Sequence, residues 1–284
     1  MDLFVQTDYE KIFNNILKYS RKYFEENNIK DVVLGVSGGI DSALVAALCY
    51  EMKDQVALYG YSLPIESGEN EVFRSELVLH AFCRYHEVEN LESCYFPIYY
   101  KFLDDSRDKD TIHFKIRRGN IKARLRMMYL YNQASAKRGL VLSTDNLTEY
   151  HLGFWTLHGD VGDFGMIQQL WKTEVYGLSE YLMDRFKATG PNLLSTLQVA
   201  ALDQCIRATP TDGLGITVSD FDQIGVSSYE EADKIIIGRL LHETHPHAYG
   251  DSNWQNDHPI VKRMKASNFK RTNPFNIDRS LLLE

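Results

Sequence analysis

The sequence is poor in cysteine, and its cysteines are not spaced to hold a metal. Four occur in 284 residues, at positions 49, 83, 94 and 205. No two of them form a Cys-x-x-Cys pair, so the sequence does not indicate a zinc or iron–sulfur site. Because they lie in apolar segments, we predict reduced and largely buried thiols.

Positive charge and long apolar runs are also scarce. Lys and Arg number 31 against 39 Asp and Glu, which gives a net charge of −8. Broad binding of nucleic acid depends on Lys and Arg neutralising phosphates, so we expect no nucleic-acid partner. No run approaches the roughly 20 apolar residues of a membrane helix, and the acidic N-terminal segment does not resemble a signal peptide. We therefore expect a cytoplasmic protein without membrane contact.

The most informative stretch is rich in glycine and serine and joins an apolar strand to an apolar helix. Residues 31–43 read Asp-Val-Val-Leu-Gly-Val-Ser-Gly-Gly-Ile-Asp-Ser-Ala. Glycines let the backbone turn and approach a ligand closely. The following helix directs free N–H groups and its positive dipole end at the loop. The pattern predicts a phosphate-binding loop formed by Ser37, Gly38, Gly39, Asp41 and Ser42.

The loop lacks the lysine of a Walker A motif, which follows the glycines in that motif. It contains Asp41 instead, whose carboxylate would repel a phosphate. A Mg²⁺ ion between the two resolves the conflict. The alternative is a plain glycine-rich turn with Asp41 as a helix cap. Two serines, two glycines and an aspartate together favour the binding loop.

Hydrophobic patterning predicts strands that alternate with helices along the first half of the chain. The strands are expected at residues 31–36, 55–62, 94–98 and 140–143, and the helices at 9–27, 40–52, 72–85 and 116–137. This order predicts an α/β fold with an open parallel sheet covered by helices on both faces. Ligands of such sheets bind at the carboxyl ends of the strands.

We expect a single domain over residues 1–284, with a helical and loop-rich C-terminal part from about residue 173. Helices are expected there at 173–186 and 230–241. Residues 102–110 and 210–228 are predicted to be loops, and the second is either a segment that orders over a substrate or an ordinary surface loop.

A second group of polar residues follows the predicted strand at 140–143. Thr144 ends that strand, and Glu149 comes five residues later. If both strands end at the same edge of the sheet, Glu149 and Asp41 can share a Mg²⁺ ion. Glu149 also fits the role of an acid in the first turn of a helix, and the two interpretations are compatible.

These residues carry a resemblance to a known family. The loop at 37–42 resembles the pyrophosphate loop of the N-type ATP pyrophosphatases, and residues 143–172 are similar to NAD synthetase within that superfamily. The matching elements are Ser143-Thr144-Asp145, Glu149, Gly153-Phe154-Trp155-Thr156, Gly159-Asp160 and Lys172-Thr173. Residues 119–127 resemble the family's Asn-x-x-Ala-Arg-x-Arg-Met helix, and residues 270–274 its Lys-Arg-x-x-Pro element.

The resemblance implies an adenine nucleotide alpha hydrolase-like fold and a homodimer. The implied reaction is the ATP-dependent amidation of deamido-NAD to NAD with ammonia, through an adenylate, with release of AMP and pyrophosphate. The implied ATP ligands are Ser37, Gly38, Gly39, Asp41, Ser42, Thr144, Lys172 and Thr211. The resemblance assigns deamido-NAD to Arg124, Asp163 and Lys270, Mg²⁺ to Asp41 and Glu149, and catalysis to Asp41 and Lys172.

The sequence departs from the family pattern on the side that serves the dinucleotide. Leu157 stands where single-domain members usually have lysine, and Phe269 stands where they have histidine. The segment Gly159 to Ile167, which contains Asp163, is one residue shorter than in the single-domain pattern. The pair Lys262-Arg263 is a second match to the Lys-Arg element beside Lys270-Arg271.

Two other functions stay open at this point. One is another enzyme of the superfamily that amidates or thiolates a different carboxylate or carbonyl, such as a tRNA-thiolating enzyme. That alternative predicts a Cys-x-x-Cys pair or a basic surface, and the sequence has neither. The other is a non-catalytic nucleotide-binding protein, against which the presence of Asp41, Thr144, Glu149 and Lys172 argues.

Overall fold

The computed structural model describes residues 7–103, 111–160, 162–210, 219–244, 257–272, 274–280 and 282. Its strands are β1 Asp31–Gly35, β2 Ala57–Ser62, β3 Tyr85–Val88, β4 Leu140–Ser143 and β5 Phe164–Gly165. Its helices are α1 Tyr9–Glu26, α2 Ile40–Tyr50, α3 Glu69–Phe82, α4 Glu92–Phe102, α5 Ile112–Lys137, α6 Leu147–Leu152, α7 Lys172–Ala188, α8 Leu193–Ile206, α9 Asp220–Ile224, α10 Tyr229–Thr244 and α11 Pro259–Ala266, and a 3₁₀ turn covers Asn268–Arg271.

The strands form one parallel sheet in the order β3-β2-β1-β4-β5. In register, Val32 of β1 lies between Leu58 of β2 and Leu140 of β4. The strand order reverses between β1 and β4, since β2 and β3 extend to one side and β5 to the other. At such a point the segments that leave adjacent strands diverge, and a crevice opens between them.

Side chains of β1 alternate between two apolar layers, as the pleat of a strand requires. Val32 and Leu34 pack in a layer with α1, α2, α3, α7 and α8, whereas Val33 packs with α4 and α5 on the opposite face. All three side chains are fully buried. This burial on both faces explains the continuous apolar run in the sequence, and it confirms the predicted α/β fold.

The C-terminal half contributes to two separate parts of the core. Helices α7 and α8 pack on the sheet through side chains such as Leu178 and Leu202. Helices α9, α10 and α11 form another apolar cluster with α6, centred on Leu152, Ile236 and Ile260. The helix α6, which follows β4 directly, therefore joins the sheet to the C-terminal cluster.

One predicted strand is wrong. Residues 94–98 belong to α4, and the strand β3 lies earlier, at Tyr85–Val88. The segment at 94–98 packs the ring of Tyr95 fully buried beside α5. The short strand β5 was not predicted, and residues 104–110 of the predicted loop lie outside the described ranges.

None of the helices in the described ranges has both the length and the apolar character that a membrane crossing requires.

His151 makes the contact between α6 and the start of α7 sensitive to pH. Its ring stacks on Trp171, with centroids 5.7 Å apart. Burial, assisted by the nearby Arg271 cation, lowers the pKa of His151 to about 4. The folded protein therefore keeps this imidazole neutral at a pH where the unfolded chain protonates it.

We predict that the free energy of unfolding falls as the pH decreases from about 6.5 toward 4, because the unfolded state then binds the additional proton. Urea unfolding across this range, compared with His151→Gln, measures the effect. The variant should show a flatter profile, whereas His113→Gln, an exposed histidine on α5, should keep the wild-type slope. Equal slopes for His151→Gln and the wild type would contradict the assignment.

Candidate active site

A cavity of about 480 Å³ lies at the carboxyl ends of β1 and β4, where the strand order reverses. This volume is in the range of small-molecule sites in proteins. Eight residues expected from the sequence line it: Ser37, Gly39, Asp41, Ser42, Thr144, Glu149, Lys172 and Lys270. The fold thus brings together three parts of the chain, namely residues 37–42, residues 144–172 and Lys270.

The loop between β1 and α2 requires glycine at position 38. Gly38 has φ +80°, in the left-handed region, and a Cβ there would lie 2.4 Å from the carbonyl oxygen of Glu71. Helix α3 consequently packs directly against the loop backbone. The first-turn N–H groups of α2 remain available at the cavity, as at any helix N-terminus.

The two serine hydroxyls of the loop hydrogen-bond within it. The Ser42 Oγ donates to the Gly39 carbonyl at 3.0 Å, and the Ser37 Oγ accepts from the Gly39 N–H at 3.2 Å. The Ser37 N–H in turn donates to the Ser42 Oγ at 3.3 Å. These bonds fix the shape of the loop before any ligand binds.

The ammonium of Lys172 lies between the two predicted metal ligands. Its Nζ donates to Asp41 Oδ2 at 2.5 Å and to Glu149 Oε1 at 2.9 Å. Asn146 donates to the other oxygen of Asp41 at 2.9 Å. The three charged side chains come from the first turns of α2, α6 and α7, so three helix N-termini converge on one point.

Burial and charge act in opposite directions on the pKa values of this cluster. Burial lowers the pKa of Lys172, but the Asp41 and Glu149 carboxylates outweigh it and hold that pKa well above its ordinary value. Burial raises the pKa of Glu149 to about 7, although the Lys172 ammonium opposes the shift. Lys172 therefore stays charged at neutral pH, and Glu149 exchanges a proton near neutrality.

The donor set suits a magnesium ion that arrives with a nucleotide. Within the described ranges no group of three or more His, Cys, Asp or Glu side chains is arranged to hold a metal. Mg²⁺ typically binds one or two protein carboxylates and completes its shell with phosphate oxygens and water. Asp41 and Glu149, which both face the cavity, are the carboxylates that would provide that share.

A network of hydrogen bonds next to the cluster connects helices α6, α7 and α10. Asp233 of α10 is fully buried, and its carboxylate accepts hydrogen bonds from the Thr148 hydroxyl, the Thr173 hydroxyl and the Thr173 N–H. The Thr148 oxygen also accepts from the Lys172 N–H at 2.8 Å. The network therefore connects the residues next to Glu149 and Lys172 to the C-terminal cluster.

The residues assigned to deamido-NAD occupy different environments. Lys270 lines the cavity, and its Nζ donates to the carbonyls of Gly153 at 2.8 Å and Trp155 at 2.6 Å. A glycine is needed at 153, since φ is +67° and a Cβ would lie 2.3 Å from Ser267 Cβ. Of the rival pair, Lys262 lies at the surface with Asp257, whereas Arg263 lines the cavity and donates to the Leu152 carbonyl at 2.9 Å.

Arg124 and Asp163 do not line the cavity. The exposed Arg124 donates to the Leu157 carbonyl at 3.3 and 3.2 Å. The carboxylate of Asp163 accepts from the Tyr131 hydroxyl at 3.0 Å and from the Val141 N–H at 2.9 Å. Their roles stay predictions, as does that of Thr211, which lies outside the described residues.

Sequence reasoning missed several residues of the site. Asp160 faces the cavity in place of Asp163, and its carboxylate accepts from the Thr156 N–H at 2.6 Å. Tyr229 places its ring 5.3 Å from the Lys172 ammonium. The Gly159-Asp160 element was a usable signal for the first, whereas no local pattern marks Tyr229 or Asp233.

We predict that Asp233→Asn lowers the free energy of unfolding by about 1–3 kcal/mol, because an amide gives three buried donors one acceptor oxygen and adds donors of its own. Turnover should fall as well, since Lys172 loses its support. Urea unfolding and steady-state rates measure the two effects. Glu230→Gln, at an exposed position on the same helix, serves as the control. Equal free energies of unfolding for the Asp233 and Glu230 variants would show that Asp233 does not stabilise the network.

Comparison with known proteins agrees with this geometry. The NAD synthase family model matches residues 12–274. The chain is 29% identical over 266 residues to an NH₃-dependent NAD⁺ synthetase of Syntrophomonas wolfei, covering 93% of this chain and 94% of that protein. It is 30% identical over 230 residues to the enzyme of the same name from Methanococcus aeolicus, covering 80% and 82% of the two chains.

Solved structures share the fold. NMN synthetase from Francisella tularensis superposes with a TM-score of 0.75 at 22% identity, over 96% of this chain and all of that one. The NH₃-dependent NAD synthetase of Campylobacter jejuni gives a TM-score of 0.67, also at 22% identity, with the same coverage. With the family model matching nearly the whole sequence, the chain belongs to the NAD synthase family, whose members are ligases that form a carbon–nitrogen bond.

Proposed function

We propose that the protein amidates deamido-NAD to NAD with ammonia and ATP, releasing AMP and pyrophosphate. The observation that carries the proposal is the Asp41–Lys172–Glu149 cluster, which lies beside a phosphate-binding loop in the cavity. Curated relatives that align over most of this chain are named NH₃-dependent NAD⁺ synthetases, which supports both the reaction and the nitrogen source. A cytoplasmic location belongs to the same proposal.

In the first step, a carboxylate oxygen of the nicotinate ring attacks the α-phosphorus of ATP, and the bond to the β-phosphate oxygen breaks. The loop N–H groups of α2 bind the phosphates and stabilise the negative charge of the departing pyrophosphate. Lys172 supplies a fixed positive charge beside the reacting phosphate. Because its pKa is held high, it does not transfer a proton during the step.

In the second step, the nitrogen of ammonia attacks the carbonyl carbon of the adenylate, the bond to the AMP oxygen breaks, and the nitrogen loses a proton. The reaction requires no covalent bond to the protein. The contribution of the chain is to hold acid, nucleotide and amine together and to exclude water. Thr144, which follows β4, and Thr156 line the cavity where this would occur.

Asp41 and Glu149 are the residues that would hold Mg²⁺ brought by ATP. When bound, the ion neutralises phosphate charge and orients the triphosphate. The two carboxylates would then be shared between the ion and the Lys172 ammonium, and this places all the positive charge of the cluster next to the phosphates.

A second acceptor deserves a direct test, namely nicotinate mononucleotide. The Francisella tularensis structure, with a TM-score of 0.75, is that of an NMN synthetase. Leu157 and Phe269 replace two side chains that the deamido-NAD pattern expects, and the cavity does not include Arg124. The reacting carboxylate is the same in both acids. The two acceptors differ only in the nucleotide part that lies away from it.

We predict that the purified protein releases AMP and pyrophosphate from ATP only when Mg²⁺, ammonium and a nicotinate nucleotide are all present. Asp41→Asn should reduce this release by roughly 100-fold or more, because the neutral amide loses the negative charge that would hold Mg²⁺ and that positions the Lys172 ammonium. Asp184→Asn, at an exposed carboxylate paired with Lys187, is the matched control and should keep the wild-type rate.

The same assay compares deamido-NAD with nicotinate mononucleotide at equal concentrations. A higher kcat/KM for the first supports the proposal, and a higher value for the second assigns the alternative acceptor. Release of AMP without either acid, or with an unrelated acid alone, would refute the amidation of a nicotinate nucleotide. Full activity of Asp41→Asn would remove that residue from the mechanism.

The proposed assembly is a homodimer formed through the exposed apolar side of α4 and α5. Tyr100, Phe102, Ile112 and Ile116 are exposed on adjoining parts of these helices. Ile112 and Ile116 also line the cavity, so the apolar patch is continuous with the site. A second copy bound here would bury the patch and close the cavity on that side.

We predict a dimer mass in light scattering after gel filtration, and a shift toward monomer for Ile116→Glu, since a buried carboxylate would oppose association. Leu193→Glu, an equally apolar exposed residue at the start of α8, should leave the mass unchanged. A monomeric wild type, or a dimer that Ile116→Glu leaves intact, would place the interface elsewhere or exclude it.

A further inference from the structure

Arg74, which the sequence motifs do not mark, lies against the phosphate-binding loop. It projects from α3, and its Nε donates to the Gly38 carbonyl at 2.9 Å. The side chain also lines the cavity. A guanidinium has five N–H donors, and this contact uses one of them. The two terminal nitrogens of Arg74 make no hydrogen bond to the residues that the structure describes.

The orientation of Arg74 is fixed by tight packing. Helix α3 approaches Gly38 so closely that a Cβ there would also lie 3.2 Å from Arg74 Cβ and 3.0 Å from the Ser75 nitrogen. On another side, the Cys205 thiol donates to the same Gly38 carbonyl at 3.5 Å. Because the carbonyl occupies only the Nε–H, the N–H groups on the two terminal nitrogens remain for another acceptor.

The charge at the loop calls for a further cation. Asp41, Glu149 and Lys172 together carry no net positive charge, whether Glu149 is ionised or protonated, because the one ammonium is balanced by Asp41 alone. Triphosphate adds several negative charges next to the cluster. The loop itself has no lysine at the position where a Walker A motif has one. Arg74 is a cation that lines the cavity and contacts the loop backbone directly.

We propose that Arg74 binds the terminal phosphates of ATP and holds the pyrophosphate as it leaves. The inference rests on the proposed function. An arginine suits this role because its planar fork donates two parallel hydrogen bonds to phosphate oxygens and keeps its charge at any working pH. The resulting site places α3 on one side of the pyrophosphate and Lys172 on the other, with the loop N–H groups between them.

Product inhibition isolates this contact. Arg74→Gln keeps a polar side chain of similar reach but removes the charge and the fork. We expect its inhibition constant for inorganic pyrophosphate to rise by about 10- to 100-fold, because hydrogen bonds between charged groups are lost. Inhibition by AMP, which has no terminal phosphates, should change by less than about twofold. The pyrophosphate inhibition constant of Arg74→Lys should lie between those of Arg74→Gln and the wild type.

Cys205→Ala is the matched control for the loop backbone, because it removes the other contact to the Gly38 carbonyl and leaves the charge. The inhibition constant of pyrophosphate for this variant should equal that for the wild type. An unchanged pyrophosphate constant in Arg74→Gln, an equal loss for AMP, or the same shift in Cys205→Ala would overturn the proposal. If Arg74→Gln does not fold, Arg74→Lys provides the test. If its inhibition constants for pyrophosphate and AMP both equal those of the wild type, the bidentate contact is overturned.

Calorimetry with inorganic pyrophosphate and Mg²⁺ separates this inference from the proposed function, since it needs no acceptor acid. A wild type that binds pyrophosphate while Arg74→Gln binds it equally well contradicts the role of Arg74 alone. A wild type that does not bind pyrophosphate contradicts both. Tight binding by the wild type with weak binding by Arg74→Gln supports Arg74 even if the acceptor proves to be another acid.

Discussion

The ammonium of Lys172, held between Asp41 and Glu149, sets a condition that the surrounding structure has to meet. Its side chain is 5% exposed, and taking such a charge out of water costs several kcal/mol unless its partners are well placed. Three helix N-termini must therefore meet within hydrogen-bonding distance. Asn146 orients Asp41, and Thr148 with Asp233 supports the backbone of Lys172.

The sheet makes this meeting possible. The chain leaves β1 and β4 in different directions at the edge where the strand order reverses, so α2 and α6 begin side by side around an open space. The helix α7 then returns to the sheet and brings Lys172 to the same point. The C-terminal cluster reaches the site through α10, which links the charged group to residues far along the chain.

The two sides of the cavity differ in how fully the chain satisfies its own polar groups. Beside the loop, the N-termini of α2, α6 and α7 and the side chain of Arg74 face the cavity. Elsewhere in the cavity, Lys270 already donates to the carbonyls of Gly153 and Trp155. A ligand that bonds to Lys270 must therefore replace those hydrogen bonds.

The sequence by itself determined most of the local elements and the order of strands and helices that makes the α/β fold. The strand at 140–143 and the α/β fold are confirmed, since runs buried on both faces and helical periodicity are local properties. The strand predicted at 94–98 was wrong because the aromatic residues of this segment suit a strand and a helix equally. Packing against α5 selects the helix. Only the tertiary structure placed Lys172 between two carboxylates, Asp233 below them and Arg74 on the loop. These contacts join residues distant in the chain, and no local periodicity encodes which of them meet.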